Sequence, residues 1–93
     1  MKRKEVEVKV KQKLTARFYV ACSKHTSKFA CEGLTDGSID EIDSVEGAKH
    51  FESPLAIMRW MGGHYEGYNP VPVIGYFELG KPAKYPDPER VFQ

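Results

Sequence analysis

From Val6 to Cys22 every even position of this sequence is apolar except Gln12. Val6, Val8, Val10, Leu14, Ala16, Phe18, Val20 and Cys22 alternate with Glu5, Glu7, Lys9, Lys11, Lys13, Thr15, Arg17 and Tyr19. Successive side chains of an extended chain point to opposite faces, so this pattern predicts a β-strand with one buried row and one row in water. Its length is the constraint. At about 3.3 Å per residue the stretch would run roughly 55 Å, several times the usual strand of five or six residues. Such a strand must bend, or its first half must leave the domain, and Gln12 marks the expected break. Leu14 to Cys22 is expected to pair with the next strand and carry the helix. Val6 to Val10 is expected to pair with the last strand, a bent-back edge or another copy of the chain.

Ninety-three residues, 41% of them hydrophobic, support one small core of modest stability and leave little room for a deep catalytic cleft. Met1-Lys2-Arg3-Lys4 leads straight into the alternating row without a continuous apolar region, so neither a signal peptide nor a membrane span is expected. The expected location is cytoplasmic, with Cys22 and Cys31 reduced.

The net charge of +1 conceals a separation. Residues 1–28 carry nine Lys or Arg against Glu5 and Glu7, giving +7, and residues 29–93 carry five against eleven, giving −6. The acids concentrate at Glu32, Asp36, Asp40, Glu41, Asp43, Glu46 and Glu52. A basic arm of this kind suits nucleic acid. Basic and acidic strands neutralising each other within one sheet through cross-strand pairs are the favoured account.

The first strand ends near Ser23, and Lys24 to Lys28 supply a turn into the apolar run Phe29 to Leu34. Keeping Phe29 and Cys31 on the face of Val20 and Cys22 leaves two registers, Cys22 opposite Cys31 or opposite Phe29. Asp36-Gly37 predicts a tight type I′ hairpin into a third strand, Ile39 to Val45. That register sets Ile42 against Cys31 and Glu32 against Glu41, with Arg17 or Lys13 as the expected neutralising neighbour. Ser53 and Pro54 open a helix whose Leu55, Ile57, Met58, Trp60 and Met61 can cover a sheet, and Gly62-Gly63 stop it. His64 to Pro70 reads as a loop and Val71 to Leu79 as a last strand. Pro70 and Pro72 favour an edge, and Gly75 permits a bend. The expected fold class is α+β, a two-layer sandwich of an antiparallel β-meander plus one helix and a final strand, in the order β-β-β-α-β. Residues 1–80 form one domain, with 1–12 as a candidate extended arm, and 81–93 form a Pro-rich tail or strap.

Ala48, Phe51, Ser53, Ala56 and Trp60, so spaced between a strand and a helix in a small chain, resemble the strand-to-helix joint of small orphan α+β proteins encoded by phages and prophages. The resemblance implies a phage-like setting and no active-site residues.

Cys22, His25 and Cys31, with His50 or His64, match no common zinc spacing, and core cysteines behave as small hydrophobes. Asp36 to Asp40 opens like a calcium loop but has Glu41 where Gly is needed and Gly47 where a bidentate Glu is needed. Asp40, Glu41 and Asp43 read as a solvated acidic face. No nucleophile motif or phosphate-cradling loop is present in the sequence. The expectation is a non-enzymatic binding module with no cofactor and no metal, acting on a protein partner or as a homo-oligomer, with no membrane role. Its candidate contact residues are Val6, Val8, Val10, Tyr65 and Tyr68, the tyrosines being either adaptable contact surface or covers for the helix end. The alternative is nucleic-acid binding by Lys9, Lys11, Lys13 and Arg17 on phosphates, with Tyr19 stacking on a base.

Overall fold

A computed structural model describes residues 16–75 and 78–92. Strands β1 (Phe18–Ser23), β2 (Phe29–Glu32) and β3 (Ile39–Ile42) precede helix α1 (Pro54–Met61), a 3-10 helix (Gly62–Gly67), β4 (Tyr68–Ile74), β5 (Glu78–Leu79) and a short helix α2 (Pro88–Val91). The strands form one antiparallel sheet in the order β3-β2-β1-β4-β5, so the fold is α+β. The first three strands make the expected meander, and β4 lies along the other side of β1.

Cys22 faces Phe29, one of the two registers left open by parity. The β2–β3 register corrects the expected one. Asp36 keeps a negative φ and only Gly37 turns positive, at 79°, so the loop is not type I′. Gly33 N–H donates to Ser38 C=O at 2.9 Å and closes a wider, four-residue loop. The ladder therefore slides by two residues. Phe29 faces Ile42, Ala30 faces Glu41 and Glu32 faces Ile39, which takes the two glutamates off each other. Lys49 supplies a cation beside Glu32, with Nζ 2.6 Å from Oε1, while the Arg17 guanidinium bonds to Gly75 C=O and Lys13 lies outside the described residues.

α1 begins as expected. Ser53 is its N-cap, accepting from Ala56 N–H at 3.2 Å, Pro54 occupies the first turn, and Gly62 ends it at φ 58°. The chain from Gly62 to Gly67 then continues as a 3-10 helix rather than a loop, and β4 starts at Tyr68, three residues earlier than expected. The expected last strand is two strands, broken at Gly75, whose φ is 61°.

α1 covers the face that the alternation assigned to water. Ile57, Met58, Met61, Phe51 and Tyr65 pack on Ala21 and Ala30, with Tyr19, Ile39 and Trp60 at the margin. Two alanines in mid-sheet let a helix carrying Ile and Met approach closely, which Val20 or Phe29 would not. Val20, Phe29, Val71 and Val73 lie on the other face with Ala48, flanked by Phe18, Cys22, Ile42 and Val45. Both rows of β1 are thus apolar once the charged positions end at Arg17, and both are buried.

Pro70 and Pro72 sit inside the sheet without cost to the ladder. The backbone of each turns away from β1, where only carbonyls are used: Pro72 C=O accepts from Gly80 N–H at 2.8 Å and Pro70 C=O from Ala83 N–H at 2.7 Å. Residues 80–92 are held against β4 and the 3-10 helix by these bonds, by Tyr85 and by Val91.

Candidate functional site

β3 and the turn before it meet the 3-10 helix at one end of the sheet. The open cleft between them, about 530 Å³, is lined by Gly37, Ser38, Ile39, His64, Gly67 and Tyr68. Beside it stands a polar network centred on Glu41. Thr26 Oγ1 donates to Oε1 at 2.6 Å and the Tyr68 hydroxyl donates to Oε2 at 2.7 Å. These two hydrogen bonds, in that order of effect, hold the Glu41 carboxyl below the usual carboxylate range. Burial, reinforced by Glu41, pushes the Tyr68 phenol up to about 12. The register explains the meeting: the four-residue loop places Glu41 on the face of Ala30 and Ser23, and Tyr68 is the direct neighbour of Ser23.

Tyr68 stays protonated and Glu41 stays ionised at neutral pH, so neither is poised to exchange a proton there. Burial raises the Cys22 thiol, with Glu41 adding to it, and raises Cys31, with Asp40 and then Glu41 adding. Both are held away from the thiolate a nucleophile requires. Among the described residues no three His, Cys, Asp or Glu side chains gather as a metal site, and Asp36 lies at a hairpin tip. A second, smaller cleft of about 340 Å³ is lined by Cys31, Glu32, Gly47 and Lys49. Its ammonium is held by Glu32 and lies 5.2 Å from the Trp60 ring centre and 5.8 Å from that of Phe51.

Tyr65 and Tyr68 are not a joint exposed surface. Tyr65 is 7% exposed and meets Tyr85 edge-on at 4.9 Å, with Phe92 at 5.8 Å, so its ring closes the end of α1. Tyr68 lines the cleft, and its carbonyl accepts from the Tyr85 hydroxyl at 2.8 Å. Tyr19 is half-buried against α1, its backbone exchanging bonds with Phe51 at 2.7 and 2.8 Å, so it is not a free stacking platform. Arg17 Nη1 donates to Gly75 C=O at 2.9 Å, tying the start of β1 to the bend after β4. Val6, Val8, Val10, Lys9, Lys11 and Lys13 lie outside the described residues.

Sequence reasoning missed two features. Leu34, read as the end of the second apolar run, is fully exposed at the β2–β3 hairpin tip. The two bonds of the Thr26–Glu41–Tyr68 network join residues 15 and 27 positions apart. The outer edge of β3 and the turn after it carry exposed Asp40, Asp43 and Glu46, with Asp43 lying 3.9 Å from Lys28. Among the described residues no helix is long and apolar enough to cross a membrane. Comparison with models of protein families, with characterised proteins and with solved structures finds no match for this chain.

Proposed function

We propose that this protein is a small, non-catalytic binding module of the cytoplasm that works through protein contacts, self-association among them, in the phage-like setting its strand-to-helix joint suggests. The observation that carries the reading is the acidic outer edge of β3, which ends in a hairpin tip bearing a fully exposed leucine. Large apolar side chains ringed by polar groups serve as anchors at interfaces. The alternating Val6, Val8 and Val10 add a second element that needs cover from another strand. Light scattering of the eluting full chain, with affinity capture from bacterial lysate by the full chain and by one lacking residues 1–12, tests it. A strict monomer that captures nothing refutes it. Nucleic-acid binding by Lys9, Lys11, Lys13 and Arg17 is supported by the +7 charge of residues 1–28. That reading predicts a gel shift at low salt that fades as salt rises.

A further inference from the structure

Resting on the reading above, we propose that the outer edge of β3 is the docking site for the alternating basic segment, residues 5–13, of a second copy of this chain, added as an extra strand. β3 is the outermost strand on its side of the sheet among the described residues. The bond from Gly33 N–H to Ser38 C=O fixes the phase of the β2–β3 ladder, turning the backbone of Asp40 and Ile42 toward β2 and that of Ile39 and Glu41 outward. In that phase the Glu41 N–H points away from β2, and it donates to the Asp40 carboxylate at 2.8 Å.

An open edge invites pairing, and charge is the usual way of blunting it. Here the blunting has one sign. Asp36, Asp40, Asp43 and Glu46 are exposed along the edge and its flanking turns, and among the described residues Lys28 lies 3.9 Å from Asp43 and also acts on Glu41. Such an edge repels acidic strands and desolvates unpaired carboxylates against neutral ones, but a strand carrying Lys9, Lys11 and Lys13 relieves both costs. Ile42 and Ile39 stand half-buried on its two faces, at the margins of the two cores, and the valine row extends whichever margin it meets. The opposite edge is a poorer host, since β5 is two residues long and residues 80–83 already bond to the carbonyls of β4. Each copy carries both a basic segment and an acidic edge, so the exchange is reciprocal and closes as a two-fold dimer.

Sedimentation of the full chain at low and moderate salt tests this, with three sets of variants. Ile39→Pro removes an outward N–H without touching the β2 ladder. Asp40→Lys with Asp43→Lys reverses the edge, and Lys9→Glu with Lys11→Glu reverses the segment. The dimer is expected to weaken with salt and at least about tenfold in each set, and the two reversals combined in one chain are expected to restore it. Circular dichroism checks that Ile39→Pro folds; if it does not, the charge reversals and their rescue decide. A dimer that all three sets leave unchanged overturns this site while leaving the binding-module reading intact. A chain that stays monomeric at about 100 μM also overturns it, and lysate capture then decides the broader reading separately.

Discussion

Removing the Tyr68 hydroxyl tests whether the β2–β3 register is as described, because only that register brings Glu41 to Tyr68. The bond is 2.7 Å long, its acceptor is an ionised carboxylate and its donor is half-buried. A hydrogen bond to a charged group contributes roughly 1.5–3 kcal/mol when shielded, and the partial exposure of Glu41 reduces that, so Tyr68→Phe is expected to cost about 1–1.5 kcal/mol. Glu41→Gln loses the charge but keeps the shape, and a double-mutant cycle between the two is expected to give a coupling of about 1 kcal/mol. The coupling depends on pH with a definite sign. The folded-state pKa of Glu41 is lowered, first by Thr26 and then by Tyr68, so its stabilisation is fully present above the ordinary carboxylate value. It is lost as pH falls through the lowered one. Urea unfolding followed by the fluorescence of Trp60, at neutral pH and along a series of falling pH that carries the carboxyl to its protonated form, measures both. A neutral-pH coupling under about 0.3 kcal/mol, or one that persists in acid, would refute the reasoning. The expected Glu32–Glu41 register would give that result, since it takes Glu41 away from Ala30 and Ser23.

Ala30→Leu is expected to destabilise by about 1–3 kcal/mol in chemical denaturation, because its Cβ lies under α1, whereas Cys22→Val on the other face is expected to change stability by less than about 1 kcal/mol. Ser53→Ala removes the α1 cap bond to Ala56 and is expected to lower stability by about 1 kcal/mol, with Ser53→Gly milder. Tyr85→Phe deletes the bond to the Tyr68 carbonyl, and hydrogen exchange at the Ala83 amide is expected to quicken by about fivefold while the β1 amides stay unchanged.

The elements were legible in the sequence where local chemistry decides them. Ser53 and Pro54 opened the helix, Gly62 closed it, and parity admitted the Cys22–Phe29 register. What could not be read was the side of the sheet the helix takes. Alternation distinguishes two rows and does not say what lies against each, and after Arg17 both rows of β1 are apolar. The deciding signal was size: Ala21 and Ala30 are small enough to lie under Ile57 and Met58, which argues for reading residue volume beside polarity. The hairpin failed for a related reason. Asp36-Gly37 is compatible with a two-residue turn, but that turn opposes Glu32 to Glu41, a long-range cost that two-residue propensity does not contain. The network at Glu41 follows from that slip and was legible only once the register was known.

The same slip also settles the character of the exposed edge. In the tighter register Asp43 would oppose Ala30 and Glu41 would oppose Glu32, so more of the acidic row would be locked to β2. With the wider loop Glu41 turns to Thr26 and Tyr68, while Asp40 closes the one outward N–H it can reach. The edge is left carboxylate-rich but only four residues long, a combination that discourages indiscriminate strand addition and favours a partner bringing its own lysines. On this argument neutralising β3 should promote unspecific aggregation before it abolishes folding. Asp40→Asn with Asp43→Asn is therefore expected to keep its circular dichroism while light scattering rises with concentration, and a variant that instead remains clear and dispersed would show that the carboxylates do not guard the edge.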